Sequence, residues 1–246
     1  MKKRILVLGL AFTMLAATAC GTSSDDGNKT SKADKTVTAT SNSDKTSETQ
    51  KKDDKKDDAK ESYKSADDIT MDDLKNHEET SAEDFEYGDG PNGSIVIDGY
   101  IGEDPIVVIP NEIDGKKVVD FRKAFTNNKD IIAIKIGDNV EDIIENAFTN
   151  CDNLKYIILG KNVKVFEHGN VGGKKFEQLE LNDGLEQLGE EGTSGAVIIL
   201  NKDKVEVKIP ESVNHMAFTG AKTLIVKAGS YAESFAKEHN MDYRVE

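Results

Sequence analysis

The sequence predicts an α/β solenoid running from residue 84 to residue 246, a stack of short coils whose strands form a parallel β-sheet on one face. Three observations carry that reading: a four-position apolar pattern returns at nearly constant spacing, an Ala-Phe pair returns ahead of it, and a capped helix signature closes the chain. The segment before residue 84 has a different character and is read separately.

The apolar pattern places residues at offsets 0, 3, 5 and 9: Ile131, Ile134, Ile136 and Val140, then Leu154, Ile157, Leu159 and Val163, then Phe176, Leu179, Leu181 and Leu185. The spacing from Ile131 to Leu154 to Phe176 lies within the ~20–29 residues of leucine-rich repeats. Offsets 3 and 5 are the alternating inward positions of a short strand. Ala124-Phe125, Ala147-Phe148 and Ala217-Phe218 each precede an apolar start, Ile131, Leu154 and Leu224, by six residues counted from the Phe. These residues belong to the returning side of a coil, where the Phe fills the space between layers. One coil cannot bury them alone, so neighbouring coils must stack. Later coils degrade: Gly169-Asn170-Val171 and the stretch from Gly189 to Gly195 stand where Ala-Phe is expected, and Val205 to Val213 restores a strand-like stretch with a register change.

At the C-terminal end, Ser230 is an N-cap with Glu233 three residues on, a capping-box spacing. Tyr231 and Phe235 share a helical face at i, i+4. A short capping helix there hides the last apolar layer of the stack.

The pieces Val107-Val108-Ile109-Pro110, Ile113 to Val118, Ala147-Phe148-Thr149-Asn150-Cys151 and Val207-Lys208-Ile209-Pro210-Glu211-Ser212-Val213 resemble the signature of the BspA-type leucine-rich repeat proteins. The resemblance covers residues 84 to 246. It implies an N-terminal β-hairpin cap built from Asp84 to Tyr87 and Ser94 to Tyr100, and surface-protein roles such as adhesion or recognition without naming a ligand.

The N-terminus reads as an export signal. Lys2, Lys3 and Arg4 precede an apolar run from Ile5 to Ala17, too short for the ~20 residues of a comfortable membrane span. Ala17-Thr18-Ala19-Cys20-Gly21 resembles a lipobox, although Ala17 stands where Leu is usual. The expectation is a signal peptide over residues 1–19 and a diacylglyceryl group on Cys20, whose two acyl chains suffice for stable anchoring. The alternative is an ordinary signal peptide with an unmodified Cys20.

Residues 20–83 are expected to be a disordered tether. From Cys20 to Asp84 there are 18 acidic and 11 basic residues with Tyr63 as the sole aromatic, and Lys51 to Asp58 is low complexity. Such a segment buries too little apolar surface to offset the entropy of ordering. As a flexible chain it spans roughly 45 Å, lifting a domain clear of a membrane. Asp67 to Asn76 has the makings of a short helix, with Ile69 and Leu74 too sparse to make it stable alone.

No catalytic, metal or cofactor site emerges. His77, His168, His215 and His239 lack ligand spacing. Cys151 occupies a turn position held by Asn128 one coil earlier and reads as a small inward residue. Gly172-Gly173-Lys174-Lys175 lacks the spacing of a phosphate loop, and the acidic string from Asp84 to Asp98 lacks the ligand order of a calcium loop. Residues 85–246 hold 28 acidic and 18 basic residues, which opposes binding to nucleic acid.

What remains is the outward face of the sheet. Offsets 2 and 4 put Ala133 and Lys135, Tyr156 and Ile158, Gln178 and Glu180 there. Of these, Lys135, Tyr156, Ile158, Gln178 and Glu180 form the candidate protein-binding face, with Tyr156 and Ile158 as its apolar centre. The competing reading is that Tyr156 and Ile158 pack under a loop or are isolated exposed residues, which need no explanation. The expected function is a non-enzymatic, membrane-anchored, extracytoplasmic module for protein–protein interaction or adhesion. The alternative is an envelope-associated accessory lipoprotein without a specific ligand.

Overall fold

A computed structural model describes residues 65–144, 147–167, 169–192 and 196–246. The export signal, Cys20, His168 and the tether as far as residue 64 lie outside the described residues.

The repeat builds a front sheet of parallel strands in spatial order Gln178–Glu180, Tyr156–Ile158, Ala133–Lys135, Ile106–Val108. Its register is the one the offsets demand. Ile134 lies opposite Val107 on one side and Ile157 on the other, and Ile157 lies opposite Leu179. A second parallel ladder joins Asp142–Ile143, Val165–Phe166, Gln187–Leu188 and His215–Met216. A third, smaller one joins Asn170–Val171, Val197–Ile199 and Phe218–Thr219.

Between these ladders lies the core. Ile131, Ile134, Ile136, Val140, Leu154, Ile157, Val163, Phe176, Leu179 and Leu185 are all buried in one cluster, with Leu181 packed against its margin. The recurrent Phe fills the interlayer space as the repeat requires, with Phe125 and Phe148 stacked at a centroid distance of 6.1 Å and Phe121 at 5.7 Å from each. Coils are also tied by side-chain amides reaching back one layer: Asn139 Nδ2 donates to the Asn111 carbonyl and Asn162 Nδ2 to the Asp138 carbonyl. Where the front strands end, the coils approach closely enough to exclude a side chain. A Cβ on Gly160 would sit 2.4 Å from the Gly137 carbonyl oxygen.

The front sheet is interrupted. The step along the chain from Leu179 to Val207 is longer than the step from Ile157 to Leu179, and the extra chain shifts the register. Among the described residues no ladder joins Gln178–Glu180 to the next strand, Glu206–Lys208, which instead starts a separate parallel sheet with Thr223–Val226 and Tyr243–Val245.

At the N-terminal end, Phe85–Asp89 and Ile95–Tyr100 form an antiparallel hairpin, which continues into Lys116–Asp120 by a parallel pairing. Lys116–Asp120 turns back on Glu112–Ile113 through Asp114 (φ 52°) and Gly115 (φ 74°). This Asp-Gly turn needs positive φ at both central positions. At the other end, helix α2, Tyr231–Glu238, buries Ala232, Phe235 and Ala236. Ser230 Oγ accepts from the Glu233 N–H at 3.2 Å, but the Glu233 carboxylate takes the Gly229 N–H at 2.7 Å rather than closing the box on Ser230.

The boundary drawn at residue 84 falls too late. Residues 65–83, assigned by composition to the tether, are folded, and those up to Thr80 lie over the front sheet. They contain a 3-10 turn at Ala66–Asp68, helix α1 at Met71–Asn76, and a second 3-10 turn at Ala82–Asp84.

Candidate functional site

The outward positions of the front sheet form one face, and the structure brings Lys135, Tyr156, Ile158, Gln178 and Glu180 together on it as their register requires. It does not leave them equally accessible. Tyr156 is 8% and Ile158 7% exposed, so the expectation that they project into solvent is corrected. They belong to a second apolar cluster in which Ile69, Met71 and Leu74 lie over Ile106, Val108, Ile132, Ala133, Tyr156 and Ile158. The face is covered by the chain's own residues 65–80, referred to below as the strap.

Helix α1 explains how so short a segment does this. Thr70 is the N-cap, its hydroxyl accepting from the Asp73 N–H at 3.3 Å. The Asp73 carboxylate takes both the Thr70 hydroxyl and the Thr70 N–H at 2.7 Å. Ile69 precedes the cap and Leu74 stands at the fourth helical position, the placement of a hydrophobic staple. Both are buried, Ile69 at 1% and Leu74 at 0% exposure, so the staple inserts into the sheet face.

Polar contacts hold the strap along its length. Lys155, whose side chain is 6% exposed, donates from Nζ to the Ala66 carbonyl at 3.1 Å and to Asp67 Oδ1 at 3.2 Å. Lys75 pairs with Glu180 at 2.7 Å. His77 Nε2 lies 3.6 Å from Asp104 Oδ2. At the sheet's edge, Thr80 donates its N–H to the Val108 carbonyl and accepts the Val108 N–H on its hydroxyl, both at 2.9 Å. That pairing satisfies main-chain groups an edge strand otherwise leaves open. Beneath the strap, the Tyr156 hydroxyl donates to Glu177 Oε2 at 2.6 Å, and burial together with that carboxylate pushes its pKa well above the ordinary phenol range.

The other half of the face is open. Gln178 is exposed and Glu180 half-buried, and beyond the break the face continues through Glu206, Lys208, Thr223, Ile225 and Arg244. A cleft of about 580 Å³ lies over the break, lined by Glu177, Glu180, Leu181, Asp183, Lys204, Glu206, Lys208 and Ile225 among others. Ion pairs cross its far side, Lys208 with Glu246 at 2.8 Å and Arg244 with Glu206 at 3.4 Å. This surface has charge of both signs around a half-buried Ile225. Lys135 sits half-buried on the covered half.

The other sequence candidates have structural surroundings. Cys151 is buried, its Sγ 2.9 Å from the Phe125 carbonyl oxygen, and burial pushes the thiol up to about 12. Its reactive thiolate is therefore scarce at neutral pH. Asp89 pairs with Lys116 at 2.7 Å and Asp98 with Arg122 at 3.3 Å. His239 stacks on Phe235 at 4.0 Å. Among the described residues there is no group of three or more His, Cys, Asp or Glu able to hold a metal ion.

Sequence reasoning missed Ile69, Leu74 and Lys155 as parts of the face, though two signals were present. Thr70-x-x-Asp73 with Ile69 and Leu74 around it spells the cap and staple. The strands Ile106-Val107-Val108 and Tyr156-Ile157-Ile158 are apolar without alternation, the mark of a strand buried on both sides. Gln178-Leu179-Glu180 and Glu206-Val207-Lys208 alternate, and they are the open ones.

Residues 121–198 match the model of the BspA type leucine rich repeat region, with six copies. Among solved structures, the chain is similar to a leucine-rich repeat protein of T. pallidum, at 24% identity over 60% of this chain and 71% of that one, with a TM-score of 0.49. A leucine-rich repeat protein from Bacteroides capillosus is 16% identical over 61% of this chain and 98% of that one, with a TM-score of 0.36. A leucine-rich cell surface protein from Faecalibacterium prausnitzii is 15% identical over 60% and 54%, with a TM-score of 0.33. No curated protein matches the chain.

Proposed function

We propose that this leucine-rich repeat chain is a non-enzymatic lipoprotein, held on the outer side of a membrane by acylated Cys20, that recognises another protein through the open half of its sheet face. The hairpin at one end and helix α2 at the other serve as caps that keep the stack from associating through its ends. Adhesion is the form such recognition takes if the partner lies on another surface.

The observation that carries the reading is the division of the face. The apolar outward positions Ile106, Val108, Tyr156 and Ile158 are covered, whereas Gln178, Glu206, Lys208 and Arg244 are exposed and Ile225 half-buried around a cleft of about 580 Å³. An apolar centre ringed by paired charges suits a non-obligate protein contact, in which the charges set specificity and encounter rate. The net charge of −14 favours a partner with a basic patch.

Two variants test the two parts of the proposal. Cys20→Ala is expected to abolish incorporation of labelled fatty acid and release the protein from the membrane fraction. Retention there with unchanged N-terminal processing contradicts anchoring through Cys20. Ile225→Asp with Lys208→Glu is expected to abolish retention of an extracytoplasmic partner at unchanged melting temperature, whereas retention equal to wild type contradicts recognition by the open half.

A further inference from the structure

The two apolar clusters are separate. The main core fills the interior of the coils and includes the inward side of the front sheet, Val107, Ile134, Ile157 and Leu179. The strap's Ile69, Met71 and Leu74 contribute only to the second cluster, on the outward side. Lifting the strap therefore leaves the solenoid core closed. Its own structure is slight: α1 has six residues, far below the ~12–15 at which isolated helices become even marginally stable. Several of its ties run to half-exposed or exposed groups, such as Lys75 to Glu180 and Lys155 to Asp67, where solvent screens the attraction.

The surface beneath holds the strap by three kinds of contact. At one end Lys155 presents a nearly buried ammonium to an acidic side chain and a carbonyl. In the middle Tyr156 and Ile158 receive apolar side chains, and at the far end the Val108 main chain pairs with an extended residue. Together these specify an acidic residue, a helical turn with apolar side chains spaced as Ile69, Met71 and Leu74, and then an extended chain.

We propose that the covered half of the sheet face is a docking site for a short acidic amphipathic segment of a partner protein, and that the strap is an intramolecular occupant which such a segment displaces. The covering is then a threshold. A tethered segment acts at an effective concentration on the order of millimolar, so a partner segment must bind more tightly than the strap does, or bind once the strap has lifted. Elements that open in this way belong to the least stable parts of a fold. The inference rests on the reading of the front face as a recognition surface, yet it concerns the other half.

The test uses the full chain carrying Ile69→Ser and Leu74→Ser, which removes the staple and leaves the solenoid side of the face unaltered. The probe is a fluorescent synthetic peptide of residues 65–80. The peptide is expected to bind the variant at least tenfold more tightly than wild type, and adding Lys155→Met is expected to weaken it several-fold. A variant that melts cooperatively but fails to take up the peptide overturns the proposal. So does loss of cooperative melting, since the strap is then an integral part of the core. Hydrogen exchange on the wild-type chain provides a measurement that needs no substitution. The amides of Leu74 and Thr80 are expected to exchange at least tenfold faster than those of Tyr156–Ile158, and equal protection overturns the proposal. Either failure leaves the reading of the open half untouched, because neither measurement involves Glu206, Lys208 or Ile225.

Discussion

Two side chains on neighbouring layers show what burial does in this molecule. Phe148 is fully buried in the main core and stacks with Phe125. Truncation to Ala removes that packing and leaves a cavity the coils cannot collapse to fill, at a cost of ~3–5 kcal/mol. For a chain of this size the melting temperature falls by about 6–20 °C. Ile158 is almost as buried, at 7% exposure, but it faces the strap. Ile158→Ala forfeits contacts that disappear whenever the strap lifts, so its effect on global melting is bounded by the stability of strap docking. The expected result is a smaller fall in melting temperature than for Phe148→Ala, with faster amide exchange at Leu74. Calorimetry and exchange on the two variants check both parts. Phe148 was readable from its place in a recurring Ala-Phe pair. The burial of Ile158 was not, because the offset pattern assigns a side of the sheet and says nothing about what comes to lie on that side.

At the scale of the element, one carboxylate caps helix α1. The Thr70 hydroxyl, and after it the Thr70 N–H, hold Asp73 below the ordinary aspartate range by hydrogen-bonding to its charged form. A carboxyl whose pKa is depressed on folding contributes stability that is present above its unfolded value, near 3.8, and is lost as pH falls through the lower folded value. Acid therefore loosens the cap: below about pH 4 the α1 amides are expected to lose protection ahead of the front-sheet amides, and Asp73→Asn is expected to remove most of that pH dependence. Exchange measured from pH 6 down to pH 3 checks this. If α1 and the sheet lose protection together, Asp73 is not the group responsible. The element was only half legible in the sequence. Thr70, Asp73, Ile69 and Leu74 spell cap and staple, but a six-residue helix takes its stability from the surface it covers, and the composition around it, rich in Asp, Lys and Ser, dilutes the signal.

For the whole molecule, the repeat determined nearly everything that lies inside. The stacking of the coils, the register of the front sheet and the Phe layer follow from an inward pattern that each coil must satisfy against its neighbours. What the repeat could not supply is the treatment of the outer face. That depends on residues 65–83, which precede the first coil and lie far from Tyr156 along the chain, and on the longer coil that splits the front sheet between Glu180 and Glu206. The break was visible only as a change of register after Val205. Its consequence, a cleft ringed by Glu206, Lys208 and Ile225, depends on how the strands on either side of the break pack, which a change of register does not specify.

Recognition through the uncovered half of the face is the central proposal, and the direct measurement is a photocrosslinking scan in the living cell. A benzoylphenylalanine probe is placed in turn at Glu206, Ile225, Ile158 and Ile144, the last an exposed residue next to the second ladder and away from the front face. The expected result is a discrete adduct with another protein from Glu206 and Ile225, with none from Ile144. Adducts from Ile144 as strong as those from Ile225, or none from either open position, would contradict recognition through the open half of the sheet.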